Sequence, residues 1–489
     1  MHHQLEAVDD DGGRSQQLPA FRPGNFHRRA CSPACSSLHT VLRDSLLASI
    51  VAPKWTAAHR SNSRSSLCLA PVARTPPPAS YRRAFHTTSP LASQSPSPRI
   101  TYRVAASSSG KGRRFHPAKN SYDFNPDLHP AIGVATDTQD PALRRKRRPD
   151  SGEDAFFVSR VGNGDSGAIA FAVADGVGGW AESRVDPADF SHALCSYMAQ
   201  SALAWDAPAE QLRSKHLLQV GYDQVVADNS VPAGGSTASV GVGLEDGRIE
   251  LANLGDSGSV LLRLAAVHHY SVPQTHGFNT PYQLSIIPPR MRAQASVFGG
   301  AFLEDFPRDA AVTNLQMQHG DVLVLATDGV FDNLNNQDIL KLVSSRMVLM
   351  GAWTSTEEAG VQPSADLQQL TSPNGLAPLL PTSPASSSPS SPSSTSSTSS
   401  SDSTASSTKT ASPNPRDQVY TLQSLIAATI AGEAKLASTD MRRDGPFAKE
   451  AQRYYPGDWY RGGKVDDISV VVIIAVEEGY SGFSTPSSK

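Results

Sequence analysis

The chain is poor in cysteine, has no long apolar run and carries almost no net charge, and each shortage removes a class of protein. Four cysteines occur in 489 residues. Cys31, Cys35 and Cys68 lie in the first hundred residues, and Cys195 stands alone in the rest. A disulfide framework is thereby excluded for the folded part, which suits a reducing compartment. The longest strongly apolar stretch, Ile468 to Val476, is far shorter than the ~20 residues of a spanning helix, so no transmembrane segment is expected. The formal net charge is −3. No global basic field argues for a nucleic-acid partner.

The small net charge hides an asymmetry. From Gly12 to Ile100 there are eleven Arg and one Lys against one acid, Asp44. This Arg- and Ser-rich, acid-poor composition over residues 1–90 reads as a mitochondrial transit segment. Leu38, Val41, Leu42, Leu46 and Ile50 fall near helical spacing, with Arg43 on another side. Arg83-Ala84-Phe85-His86-Thr87-Thr88 resembles the Arg-x-Phe-x-x-Ser/Thr pattern at which many fungal presequences are trimmed, placing the mature start between about 84 and 95. Glu6, Asp9, Asp10 and Asp11 put acid at the extreme N-terminus, which such a leader does not need.

Residues 91–120 read as a polar linker and 121–476 as one folded domain, with a C-terminal tail at 477–489. A stretch dominated by Ser, Pro and Thr, residues 355–416, has too little apolar surface to offset its ordering entropy and reads as a disordered insertion within that domain. Strands are expected at Ala155 to Ser159, Ile169 to Ala174, Ala238 to Gly243, Ile249 to Leu254, Ser259 to Leu264, Val322 to Ala326 and Ile468 to Val476. Helical patterns cover Pro187 to Leu203, Ala209 to Ala227 and Tyr420 to Lys435. Strands come in runs, not in alternation with helices, which favours an α+β fold with antiparallel sheets.

Acidic residues recur where these strands begin or end. Glu153-Asp154 precedes Ala155; Asp175-Gly176 follows Ala174; Gly255-Asp256 follows Leu254; Asp328-Gly329 follows Thr327; Asp466-Asp467 precedes Ile468. Each Asp-Gly alone is an ordinary turn dipeptide. Taken jointly, strand ends packed side by side would gather the carboxylates at one rim, a costly arrangement unless a cation neutralises them. Oxygen ligands without clustered His or Cys suit Mg²⁺ or Mn²⁺.

Six motifs in order carry a resemblance: Gly152-Glu153-Asp154-Ala155, Ala174-Asp175-Gly176-Val177-Gly178-Gly179, Gly234-Gly235-Ser236-Thr237-Ala238, Asn253-Leu254-Gly255-Asp256-Ser257, Ala326-Thr327-Asp328-Gly329-Val330-Phe331-Asp332 and Val465-Asp466-Asp467-Ile468-Ser469. The chain resembles the type 2C (PPM family) metal-dependent Ser/Thr protein phosphatases. Gly176-Val177-Gly178-Gly179-Trp180, Val185-Asp186-Pro187 and Phe278-Asn279-Thr280-Pro281-Tyr282-Gln283-Leu284 look like the family's mitochondrial branch. The resemblance implies an α-β-β-α sandwich of two antiparallel sheets flanked by helices, with the metal centre at one edge. Glu153, Asp175 and the Gly176 carbonyl would hold one ion, and Asp175, Asp328 and Asp466 a second. Asp256 and Asp332, with Asp328, match a third site, and Asp154 would orient a metal-bound water. Phosphoserine and phosphothreonine would be hydrolysed by a bridging metal-bound hydroxide. The implied partners are phosphoproteins of the mitochondrial matrix, coenzyme Q biosynthesis factors among them.

Two positions depart from the family. Val177 stands where a general-acid His usually follows the bridging Asp-Gly, so the protein general acid is unassigned. Pro149 stands where a phosphate-binding Arg is usual, leaving Arg148 and Arg184 as candidates; the basic run Arg144 to Arg148 otherwise reads as a solvated loop. Three other readings compete. The missing His and Arg suit a catalytically weak or inactive pseudophosphatase scaffold. Thr56-Ala57-Ala58-His59 and Gly255-Asp256-Ser257-Gly258 resemble the His and Ser motifs of chymotrypsin-like proteases. His268, His269 and His276 suggest zinc but lack a fourth ligand. Cys195, in a helical pattern, reads as a core residue.

Overall fold

Among the described residues, twelve strands build two six-stranded sheets. In chain order they are β1 (Ile100–Ser109), β2 (Ser121–Phe124), β3 (Ala131–Ile132), β4 (Ala155–Arg160), β5 (Ile169–Ala174), β6 (Ala238–Gly243), β7 (Arg248–Leu254), β8 (Gly258–Arg263), β9 (Ala266–Tyr270), β10 (Ala311–Gln316), β11 (Val322–Ala326) and β12 (Ile468–Glu477). The computed structural model describes residues 99–164, 166–297, 302–356, 360–376, 421–457 and 459–480. The first sheet has the order β9-β8-β11-β12-β1-β2 and the second β10-β7-β6-β5-β4-β3. Neighbouring strands are antiparallel throughout both sheets. The α+β reading from the run of strands therefore holds.

Period-2 alternation decides what fills the space between the sheets. Tyr102, Val104 and Ala106 of β1, Phe171 and Val173 of β5, Leu323 and Leu325 of β11, and Val471 and Ile473 of β12 form one buried cluster. The opposite faces carry helices. Helices α1 (Pro187–Leu203) and α2 (Ser214–Ala227) bury Phe190, Leu194, Met198 and Leu218 against Ala155, Phe157 and Ala172. Helices α3 (Asn336–Leu349) and α4 (Leu422–Ser438) bury Ile339, Val343, Ile426 and Ile430 against Val324, Val470 and Val472. A fifth helix, α5 (Pro446–Tyr454), follows α4. The result is the four-layer α-β-β-α order. Among the described residues, no helix is long and apolar enough to cross a membrane.

Several boundaries differ from the sequence reading. The stretch expected as linker, 91–120, contains β1, a strand paired along its whole length with β12 from Ile100↔Glu477 to Ser109↔Ile468. Its Ser-rich end hid it, yet Ser107, Ser108 and Ser109 are fully buried, and Ser107 Oγ donates to the Asn120 carbonyl at 2.7 Å. Such small residues suit the face on which α4 packs. The Ser-rich insertion begins later than residue 355. Trp353–Thr356 pairs with Gly360–Pro363, Trp353 donates to the Gly320 carbonyl at 3.0 Å, and Leu367, Leu370 and Leu376 join the α3–α4 core. Residues 377–420, and hence most of the expected insertion, lie outside the described residues, as do the transit segment at 1–90 and positions 481–489 of the tail. The helix expected over Ala209 to Ala227 is a 3₁₀ turn, Ala209–Gln211, followed by α2. The break falls where Glu250 accepts from both Ser214 N and Ser214 Oγ at 2.9 Å.

Because β1 is paired on both sides, with β12 and β2, a chain beginning at residue 110 should show no cooperative thermal transition, whereas one beginning at residue 95 should melt cooperatively. Circular dichroism on both purified proteins checks this, and a cooperative melt from the shorter chain would return residues 100–109 to linker status.

Candidate metal centre

Antiparallel register explains why the acids meet. Ala155 pairs with Ala174, so Glu153-Asp154 before β4 lies beside Asp175-Gly176 after β5. Ala238 pairs with Leu254, bringing Asp256 after β7 to the rim where β6 begins. In the other sheet Ala326 pairs with Val470, setting Asp328 after β11 beside Asp466-Asp467 before β12. Ser109 pairs with Ile468, which delivers Gly110-Lys111 to the same rim. Glu153, Asp175, Gly176, Asp256, Asp328 and Asp466 all line one open cleft, together with Lys111, Val177, Thr237, Asn279, Thr280, Pro281, Gln283 and Lys464. Asp154 lies buried beneath it, and Asp332 reaches it through Lys464.

Hydrogen bonds stitch the two sheets at this rim. Asp154 Oδ2 accepts from Thr327 Oγ1 at 2.7 Å. Asp467 accepts from the backbone N–H groups of Glu153, at 2.8 Å, and Lys111. Gly152 is required there: its φ is +73°, and a Cβ would stand 2.0 Å from an Asp467 oxygen. Gly176 is equally confined, since a Cβ would meet the Glu153 carbonyl at 2.7 Å. The Gly234-Gly235-Ser236-Thr237 segment holds Asp175 from below. Thr237 N and Ser236 Oγ donate to the Asp175 carbonyl at 2.9 and 2.8 Å, while Asp175 N donates to Thr237 Oγ1 at 3.2 Å.

The electrostatics are those of a site short of positive charge. Burial, then the charges of Asp328 and Asp154, pushes Asp175 well above the usual carboxylate range. Burial and Asp467 do the same to Asp154. Burial and Asp328 push Asp256 up to about 7. Glu153 is raised by burial and Asp467, with Lys111 opposing. Asp154 Oδ1 and Asp256 Oδ1 are buried without a hydrogen-bond partner. Within the cleft the densely paired cation is Lys464, whose ammonium contacts Asp328 at 2.7 Å, Asp332 at 2.6 Å and Asp466 at 3.1 Å. Burial disfavours ionisation of Asp328, but Lys464 outweighs it and holds that carboxyl low; Asp332, sharing the ammonium, stays raised by burial and by Asp328. Orphaned oxygens and mutually repelling carboxylates are the donor set of a hard divalent cation. Among the described residues, however, no three Asp, Glu, His or Cys side chains stand converged as a finished cage. An ammonium holds the centre of one group of them.

The sequence candidates for a phosphate clamp fall elsewhere. Arg148 pairs with Asp189 at 2.6 Å and Asp186 at 3.6 Å, at the first turn of α1. The other arginines of the basic run are also ion-paired, Arg144 to Asp228, Arg145 to Asp189 and Arg147 to Asp137, and Pro141–Lys146 is a short helix. The run is not a free solvated loop. Arg184 is exposed at φ 62°, ending the 3₁₀ turn Gly178–Ser183, and neither Arg148 nor Arg184 lines the cleft. Lys111 does, with its side chain 59% exposed and its Nζ 3.2 Å from Asp466. Sequence reasoning missed it because β1 was not recognised. It missed Lys464 too, although residues i and i+2 of an extended chain share a face, which puts Lys464 with Asp466.

The protease reading has no support. Ser257 is fully buried and its Oγ shares a 2.8 Å hydrogen bond with Thr237 Oγ1, while His59 lies outside the described residues. His276 Nε2 pairs with Asp305 at 3.0 Å, and His268, exposed, and His269, half-buried, lie where β9 shifts register against β8. Cys195 is a buried core residue of α1, its thiol pushed up by burial.

Residues 144–369 match the family described as Protein phosphatase 2C. The Saccharomyces cerevisiae protein phosphatase 2C homolog 7, mitochondrial, is 39% identical over 200 residues, covering 40% of this chain and 57% of that protein. The Drosophila grimshawi protein phosphatase PTC7 homolog fig is 34% identical over 223 residues, covering 45% of this chain and 67% of that protein. The X-ray structure of the photosystem II phosphatase PBCP is similar at a TM-score of 0.41 and 24% identity, covering 68% of this chain and 94% of that one. The match thus spans less than two thirds of the yeast relative's length.

The raised carboxyls predict an unusual pH response. A group whose folded pKa exceeds its unfolded value loses its stabilising contribution as pH rises through the folded pKa. With Asp256 raised from the ordinary carboxylate value to about 7, chelator-treated protein should lose this group's contribution progressively from about pH 4 to pH 7, the last ~1 kcal/mol of it above about pH 6.5. The buried His192, held down to about 3, opposes part of this loss, because its unfolded imidazole gives up its proton only at about 6.5 whereas the folded ring is already neutral. Excess Mn²⁺ should abolish or reverse the loss, because ions favour the ionised carboxylates. Thermal midpoints with chelator and with Mn²⁺ provide the check, and a pH-independent midpoint in chelator would contradict it.

Proposed function

The chain belongs to the protein phosphatase 2C family, and we propose that it hydrolyses phosphoserine and phosphothreonine esters of proteins in a metal-dependent reaction inside mitochondria. The observation that carries this reading is the gathering of Glu153, Asp175, Gly176, Asp328 and Asp466 along one cleft. Glu153, Asp175 and the Gly176 carbonyl are the groups to hold one Mg²⁺ or Mn²⁺, and Asp175, Asp328 and Asp466 those to hold another. Bound divalent ions would supply Lewis acidity, drawing charge from phosphoryl oxygens and making water acidic enough to ionise near neutrality.

The remaining work falls to the chain's own side chains. Asp154, fixed through Thr327 and left with a free buried oxygen, accepts a hydrogen bond from water on the cleft floor and orients it. Asp467 holds the Glu153 and Lys111 backbones at the rim. Lys111 faces the cleft from its solvent side, and we assign it, in place of Arg148 or Arg184, to the phosphoryl oxygens of the substrate. Val177 leaves no imidazole at the position of the family's acid, and no histidine is among the cleft-lining residues.

The basic transit pattern of residues 1–90 and the word mitochondrial in the yeast relative's name support the compartment. The matrix is the proposed site of action, and coenzyme Q biosynthesis factors are the proposed substrates within it. A mature start between about 84 and 95 would leave β1 complete.

In a Mn²⁺-dependent phosphopeptide assay, Asp175→Asn should lower turnover by roughly 100-fold or more while circular dichroism stays unchanged. Near-wild-type turnover in that variant would sink the metal assignment. Lys111→Met should lower kcat/KM by about tenfold, the loss expected for one charge-assisted hydrogen bond. Bound Mn²⁺ without turnover in the wild type would point to a scaffold.

A further inference from the structure

Lys464 takes no part in the chemistry assigned above, yet it is the most heavily paired side chain of the cleft. Its ammonium, with three donors, meets three carboxylates: Asp328, Asp332 and Asp466. Its side chain is only 16% exposed. The backbone beneath it is pinned in both directions by one residue. Lys464 N donates to Asn333 Oδ1 at 2.9 Å, and Asn333 Nδ2 donates to the Lys464 carbonyl at 2.8 Å. The side chain can move, but its attachment point cannot drift away.

The two halves of the cleft are therefore unequal. On the Glu153 side the nearby cation is Lys111, half exposed, whose Nζ contacts Asp466. On the Asp328 side a buried ammonium already satisfies the oxygens that a divalent ion would need. We propose that Lys464 is a tethered cation standing in for a divalent ion among Asp328, Asp332 and Asp466. One ion enters beside Glu153 and Asp175 without contest, whereas an ion bound by Asp328 and Asp466 must displace the ammonium. This rests on the metal-dependent reading of the site.

The same ammonium also lies against an aromatic face. The ring of Phe447, on α5, lies 4.9 Å from Lys464 Nζ, within the range of a cation–π contact. Phe447 is itself fixed by Phe278 at 5.1 Å and Tyr460 at 5.1 Å. An ammonium driven off the carboxylates keeps this aromatic face. The lysine also gives the chain an internal countercharge at Asp328 before any ion arrives, so the fold does not depend on metal to hold those acids together.

Titration of Mn²⁺ into the chelator-stripped full chain, followed by calorimetry, tests the proposal. The wild type should show a tighter and a weaker step. Lys464→Met should tighten the weaker step by about tenfold or more, as expected when a like charge at contact distance is removed, and should leave the tighter step nearly unchanged. It should also lower the thermal midpoint in chelator more than in Mn²⁺. Lys464→Gln, which keeps a hydrogen-bond donor without the charge, should shift the weaker step in the same direction and covers the case in which the Met variant does not fold. Lys111→Met, which removes an exposed charge touching Asp466 alone, should leave the weaker step nearly unchanged. An unaltered or weakened second step in a cooperatively melting Lys464 variant would overturn the proposal. Equal tightening by Lys111→Met would also overturn it, showing general charge relief instead of displacement. A wild type that binds no Mn²⁺ would be a different failure, that of the metal-dependent reading itself.

Discussion

Repulsion among carboxylates is the constraint around which this protein is organised. Asp154, Asp175, Asp256, Asp328, Asp332 and Asp466 crowd one rim of a sandwich whose interior is almost wholly apolar. Such crowding is unfavourable for the fold unless positive charge is supplied. Three arrangements lessen it: protons retained on raised carboxyls, the ammonium of Lys464, and divalent ions. These alternatives exclude one another at any given oxygen, so the ionic state of the site and the stability of the domain are linked quantities.

The rim exists because of strand geometry, not because of any single motif. Each of these acids except Asp332, which follows the short helical turn Asp328–Phe331, sits one or two residues beyond a strand end, and antiparallel pairing places the end of one strand beside the start of the next. A one-residue slip of β5 against β4 would turn Phe171 and Val173 out of the inter-sheet core. It would also separate Asp175 from Glu153. The apolar pattern that packs the sandwich is thus the same device that registers the site. Asp467 completes it by gripping both the Lys111 and Glu153 backbones, joining an N-terminal segment to one before the last strand.

What could be read in advance follows from how local the signal is. Ile169 to Ala174 and Val322 to Ala326 are continuous apolar runs flanked by Asp-Gly, and they stand in the structure with those bounds. The acids beside them were legible for the same reason. β1 was not, because Ala105 to Ser109 are small and mostly polar, and only their burial beneath a helix identifies them as strand. The linker reading removed Lys111 from view with it. Arg148 looked like a phosphate ligand by nearness in sequence, but Asp189, forty-one residues away, takes its guanidinium. Lys464 was plain in the sequence and silent, since nothing local says that three distant carboxylates surround it.

The pairing of β1 with β12 has a temporal side. Ile100 and Glu477 are register partners, so the first sheet cannot be completed until the residues up to Glu477 are present. A chain emerging or being threaded N-terminus first carries β1 exposed, its paired edge unfilled, throughout that interval. Contacts of such long sequence separation form slowly, and an open apolar edge is an invitation to wrong partners. Birth of this protein is therefore a waiting problem: β1 must be kept from other chains until β12 arrives, and the acidic rim is assembled only at that closure.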